Sequence, residues 1–304
     1  MTRGALFLAV LFACMSTAIA GAASSPSVLA RGAVAALAAD GDQAAFATVP
    51  TATDCDRAYI WQRLNQRTIQ FGKKQQCAGN RGVAGIAVSG GRALWLTWFD
   101  GPQRVWRLFT ASTTKKTPRQ LRIMSTDPTA PQPIVVGRAG GGLFPYAVGS
   151  TVTVLRANGA KAFGPWTAPG RVVALAARDG RVAVATEGAR VTVLDAHPNI
   201  VSVDLYETEV SNVELPAKGQ QLVQRADIFE LRRQTDARQF PVAAGAQLDD
   251  ADSKWAVWSD GKLVHVLRLT DGAQIGQYAG TWGAVSGNRL YVANGRKITF
   301  RTLR

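Results

Sequence analysis

Histidine occurs only twice in the 304 residues and cysteine only three times. Each shortage removes a class of chemistry. Two imidazoles are too few for a His-rich metal centre, and neither is placed to act as a base. His197 sits in the turn Ala196-His197-Pro198-Asn199, a setting that favours a turn residue. His265 lies among Val264, Val266 and Leu267, where packing or a hydrogen bond within a sheet is expected. Nucleophile motifs are also missing. Gly-x-Ser-x-Gly is absent, and the run Gly140-Gly141-Gly142 is not followed by Lys-Ser or Lys-Thr, so it reads as a tight hairpin rather than a phosphate cradle. No pattern points to a cofactor or a resident metal, and none is expected.

Acidic residues are scarce against basic ones, 21 against 35, giving a formal charge of +14. A surface of that sign attracts polyanions at low salt. The basic residues are scattered along the chain instead of forming a tail or stripe, which favours a solvated basic surface with polyanion contact as a secondary property. Beyond the N-terminus, no charge-free stretch has the length of a membrane-spanning helix, so a soluble or peripheral protein is expected.

The N-terminus has the grammar of a secretory leader. Arg3 supplies positive charge, Ala5 to Ala13 a short apolar run, and Ala18-Ile19-Ala20 the small residues of a cleavage site. Residues 1–20 are therefore read as a signal peptide and 21–304 as one domain, secreted or associated with the cell envelope. Leu11-Phe12-Ala13-Cys14 also resembles a lipobox, which would make Cys14 a lipid attachment site, although Phe12 fits that pattern poorly. An exported chain does not ordinarily meet nucleic acid. Two cysteines then remain, Cys55 and Cys77, and in an oxidising compartment they are expected to form one disulfide.

What the chain has in abundance is a repeat. Its clearest copy runs from Val172 to Asp195. Val172-Val173-Ala174-Leu175-Ala176 meets the turn Arg178-Asp179-Gly180, then Arg181 to Ala185 follows, then Glu187-Gly188, then Arg190 to Leu194. Short β-branched segments punctuated by Asp-Gly turns are antiparallel strands joined by hairpins. Equivalent second strands contain Ala44, Leu94, Phe144, Val182, Leu222, Trp255 and Leu290. Their spacing lies near the ~40 to 50 residues of a four-stranded propeller blade. Seven blades are the preferred count, with six as the alternative because the third copy is irregular. The last copy ends after its third strand, whereas Ser27-Val28-Leu29-Ala30 precedes the first copy unpartnered. This segment is expected to become the outer strand of the last blade and close the ring, protecting strand edges.

The repeat grammar resembles that of the broad TolB-like and WD-repeat-like β-propeller superfamily. The Gly-His and Trp-Asp pairs of true WD repeats are absent, as is a repeated Ser-Pro-Asp-Gly, so no specific family is implied.

Two places remain as candidate sites. Asp249, Asp250 and Asp252 form the densest acidic cluster. It lacks the glycine and closing glutamate of a calcium hand and reads as a solvated turn, with only Asp249 able to approach an axial channel. Trp95, Trp98, Phe99 and Trp106 surround Asp100-Gly101-Pro102. Strand alternation places Trp95 and Phe99 on one side and Trp98 on the other. Trp98, Phe99 and Asp100 lie nearest a loop that shares a face with Cys55 and Cys77, making this the expected binding face. The function expected is a non-enzymatic exported scaffold for a protein or an envelope glycan. The alternative is a propeller enzyme of lactonase or hydrolase type with an axial metal.

Overall fold

The computed structural model describes residues 25–77, 79–233 and 236–304; the leader reading of residues 1–20 and the lipid-attachment reading of Cys14 lie outside them. Within the described residues the chain forms seven four-stranded antiparallel sheets and no helix. Blade one comprises Val34–Asp40, Gln43–Thr48, Ala58–Gln62 and Arg67–Phe71. Blades two to six follow in sequence order, each meandering outward from its first strand. In blade seven, Trp282–Ser286, Arg289–Asn294 and Lys297–Thr302 are joined by Ser27–Leu29. Val28 pairs with Ile298, and Ala30 N donates to the Arg296 carbonyl at 2.7 Å. The ring is thus closed by the N-terminal segment, as the unpartnered strand in the sequence requires.

Alternating small and β-branched residues explain why the sheets stack. The central strands of each blade are buried on both faces, with Ala44, Ala93, Val182, Ala256 and Leu290 all fully enclosed. Seven apolar clusters fill the sectors between blades, the arrangement expected when every sheet packs face to face with two neighbours.

Polar latches join successive blades near the axis. The last residue of a first strand accepts a hydrogen bond from the first turn of the next blade: Ser286 from Gly41 at 2.8 Å, Asp40 from Gly90 at 2.7 Å, and Ser89 from Gly142 at 3.2 Å. Gly141 and Gly142 form the tight hairpin expected, both at positive φ (58° and 77°), as a two-residue type I′ turn demands. The glycine-rich segment has a second role. A Cβ on Gly137 would meet that of Leu175 at 2.3 Å. Its absence lets Arg138 lie beside the inner strand of blade four, donating to Leu175 O and accepting from Ala177 N, both at 2.8 Å.

Candidate functional site: a loop face and an axial cavity

Blade two is longer than its neighbours. Its strands, Arg81–Ser89, Arg92–Asp100, Arg104–Ser112 and Arg119–Thr126, run nine, nine, nine and eight residues, whereas those of blade one run five to seven. The central hairpin, turning at Gly101-Pro102-Gln103, carries Trp98, Phe99 and Asp100, all half-buried. Trp95 and Thr97 face blade one and Trp98 faces blade three, so the sidedness expected from strand alternation holds.

Each of the three site residues is engaged by an arginine. Arg104 lies 4.4 Å over the Trp98 ring and 5.9 Å from that of Trp106, while pairing with Asp100 at 2.7 Å. These hydrogen bonds hold the Asp100 carboxyl below its ordinary range. Arg107 lies 4.5 Å over Phe99. Trp98 is also packed against Gly82, where a Cβ would come within 2.6 Å of the indole. The surface offered at the tip is the Arg104 guanidinium against the half-buried Trp98 indole, edged by the Asp100 carboxylate.

Blade one braces this hairpin from the side. Cys55, in the connection before its third strand, is bonded to Cys77, beyond its fourth, with Cα atoms 6.3 Å apart. Between the bridge and blade two stands Asp56, which is 6% exposed. Its carboxylate accepts from Thr97 Oγ1 at 2.7 Å and from Arg107 at 2.8 Å, and its carbonyl accepts the Trp95 indole N–H at 3.0 Å. Among the described residues, the only trio of metal-ligating side chains drawn close together is Cys55, Asp56 and Cys77. The disulfide uses both sulfurs, so this trio is a brace.

The acidic cluster is buried, contrary to the solvated turn expected from the sequence. Asp250 and Asp252 are 1% and 2% exposed. Asp252 caps the first turn of blade six, accepting from Lys254 N at 2.9 Å and Trp255 N at 3.1 Å. In the first strand, Gln247–Ala251, a bulge falls between Leu248 and Asp250. A bulge turns successive side chains the same way, so Asp249 and Asp250 both reach blade seven. Asp249 accepts from Gly283 N at 3.1 Å and from Ser259 Oγ at 3.0 Å, and Asp250 from Val285 N at 2.6 Å. Asp250 also pairs with Arg138, which sequence reasoning passed over.

Asp249 and Arg138 line an axial cavity of about 330 Å³ whose wall comes from the first strands of all seven blades. It runs from the inter-blade connections at Gln132 and Ser211 to Arg138 and Glu214. Burial pushes Asp249 and Glu214 each up to about 7, with the Arg138 guanidinium opposing the shift in both. Neither histidine reaches the cavity. His197 is exposed in its turn. His265 stacks on Trp258 with centroids 3.7 Å apart and lies 3.3 Å from an Asp260 carboxylate oxygen, the packing role expected of it.

Closed on itself and built from seven four-stranded blades, the chain is a β-propeller. No protein-family model matches the sequence, and no curated protein matches it in sequence. In three dimensions it is similar to the β-propeller domain of Cps50 (Swd1) from Myceliophteria thermophila, with a TM-score of 0.60 at 12% identity over 92% of this chain and 100% of that one. It is similar to the WD40 β-propeller domain of Doa1, at a TM-score of 0.59 and 10% identity over 91% and 95%. A chain of the Mitotic Checkpoint Complex gives 0.60 at 13% identity over 100% and 99%. Identities this low establish architecture alone: the fold is that of a WD40-like seven-bladed propeller.

Proposed function

We propose that the protein is an exported, non-catalytic propeller that docks a partner protein on the loop face of blade two. One observation carries the reading. The overlong hairpin of blade two presents Trp98, Asp100 and Arg104 at its tip and is tied to blade one through Asp56 beside a disulfide. Aromatic residues and arginine are enriched at protein interfaces, and those that dominate binding are held rigid before contact. A protein is favoured over a glycan because sugars stack on open aromatic faces, whereas Arg104 already covers a face of Trp98. The leader-like N-terminus and the single disulfide support export.

A photo-crosslinking residue at exposed Gln103 tests this in the native envelope at about 0.15 M salt, where long-range charge attraction is screened. A discrete protein adduct is expected, at least about tenfold weaker after Trp98→Ala or Arg104→Glu, as for residues that dominate an interface. Turnover of a lactone, phosphodiester or glycoside by the purified protein, abolished by the same substitutions, would overturn the reading.

A further inference from the structure

The axial cavity is walled mostly by small apolar residues. The bulged positions of the first strands in blades one, two and four are Ala35, Ala84 and Val173, and all three line the cavity. At the same bulge in blade six stands Asp249. Glu214, at the end of the three-residue first strand of blade five, is 4% exposed and also lines the cavity. Among the described residues no side-chain hydrogen bond and no ion pair within 4.0 Å engages its carboxylate, which opens onto the cavity; Arg138 and Arg178 act on it only at longer range. Carboxylates buried in this way are ordinarily paired. Arg138, which could have served, is engaged by Asp250.

We infer that the axial cavity binds a small organic ammonium compound, with Glu214 as its counter-ion and Asp249 as a second acceptor. Asp249 has both oxygens within the wall's hydrogen-bond network, but a carboxylate offers about four lone-pair directions and retains capacity. A divalent metal fits less well. It requires several oxygens at close range, and Glu214, Asp249 and Asp250 do not gather into a group whose ligand atoms lie within 4.8 Å of one another. An anion is disfavoured because the guanidinium in the wall is already neutralised. The volume, about 330 Å³, is at the small end of ligand pockets. This site is separate from the blade two hairpin, so the inference does not rest on the docking proposal.

The test is calorimetric titration of the full chain with ethanolamine and with n-butylamine at up to about 20 mM, with n-butanol as the uncharged counterpart. Binding of at least one amine at pH 8 is expected, with n-butanol silent. Glu214→Gln, nearly isosteric at a position without partners to lose, should weaken binding about tenfold or more, and Trp98→Ala should leave it unchanged. The charged groups lining the cavity are Glu214, Arg138 and Asp249, with Asp250 behind them paired to Arg138 and Arg178 acting on Glu214 at longer range. Only carboxylates change charge between pH 8 and 6, so acidification should weaken binding by about tenfold as Glu214 and Asp249 take up protons. Should Glu214→Gln fail to fold, Asp249→Asn and the pH profile of the unmodified protein decide the matter. Silence from both amines, equal binding of n-butanol, binding that survives Glu214→Gln, or calcium binding with the amines silent would each overturn the inference.

Discussion

Between blades one and two the apolar packing is dominated by an aromatic stack, with one ion pair, Asp56 with Arg107, at its edge, whereas blades six and seven add a row of carboxylates to their apolar cluster. In the first seam Trp95 lies between Phe71 and Phe109, with centroids 6.0 and 5.5 Å away, and its one polar atom is satisfied by the Asp56 carbonyl. In the second, backbone N–H groups of Gly283 and Val285 are answered by side-chain oxygens of Asp249 and Asp250. The same blade geometry therefore tolerates two kinds of glue. Apolar contact does not titrate and is not weakened by charge screening. Buried charge is stabilising only while its partners are in place and its protonation is right.

The largest effect should come from emptying the aromatic seam. Trp95 is completely buried, and its truncation removes a large apolar surface and leaves a cavity between two sheets. Trp95→Ala is expected to cost about 3–5 kcal/mol in urea unfolding, with the midpoint falling and the slope unchanged. A cost below about 1 kcal/mol would mean that the stack is not what joins these blades.

Next comes the staple. Replacing Cys55 and Cys77 by serine together releases a loop of roughly 20 residues, which the chain-entropy model values at about 3 kcal/mol. Because Cys55 adjoins Asp56, the loss should also loosen the hairpin of blade two and weaken the crosslink at Gln103. An equal loss of stability with the crosslink intact would separate the staple from the binding face.

The two seams also differ in how far they could be read in advance. Strand positions, the closing segment and the sidedness of Trp95 and Trp98 follow from period-two alternation and turn residues, which are local signals. The disulfide follows from cysteine count and hairpin geometry. The carboxylate seam escaped because the bulge at Asp249 breaks the alternation and because Arg138, the partner of Asp250, is contributed by a turn in blade three. Glu214 was hidden in a strand of only three residues. One signal was present: Asp249-Asp250 stands where the other repeats have Ala35-Ala36, Ala84-Gly85 and Val173-Ala174. A charged pair aligned with apolar pairs marks an inner-strand position with a special role.

The smallest effect separates the seams by pH. Asp249 and Glu214 are pushed up to about 7, and burial also raises Asp252 and Asp54. Such carboxylates hold their protons in the folded chain at pH values where the unfolded chain has released them. Their contribution to stability is fully present below about pH 4 and is lost as pH rises through about 7. Asp42, Asp100, Glu230 and Asp260 are shifted the other way by their partners, and their contribution fades only below about pH 4. Acidification from pH 8 to 5 should therefore stabilise the protein and raise its thermal midpoint. Asp249→Asn should reduce the rise in thermal midpoint, because an amide has no proton to gain, while Glu214 still contributes its share. Trp95→Ala should lower the whole curve and keep its slope, since the indole it removes does not titrate. A midpoint that falls steadily from pH 8 to 5 would show that these carboxylates are ionised and satisfied in the fold, and the contrast between the two seams would disappear.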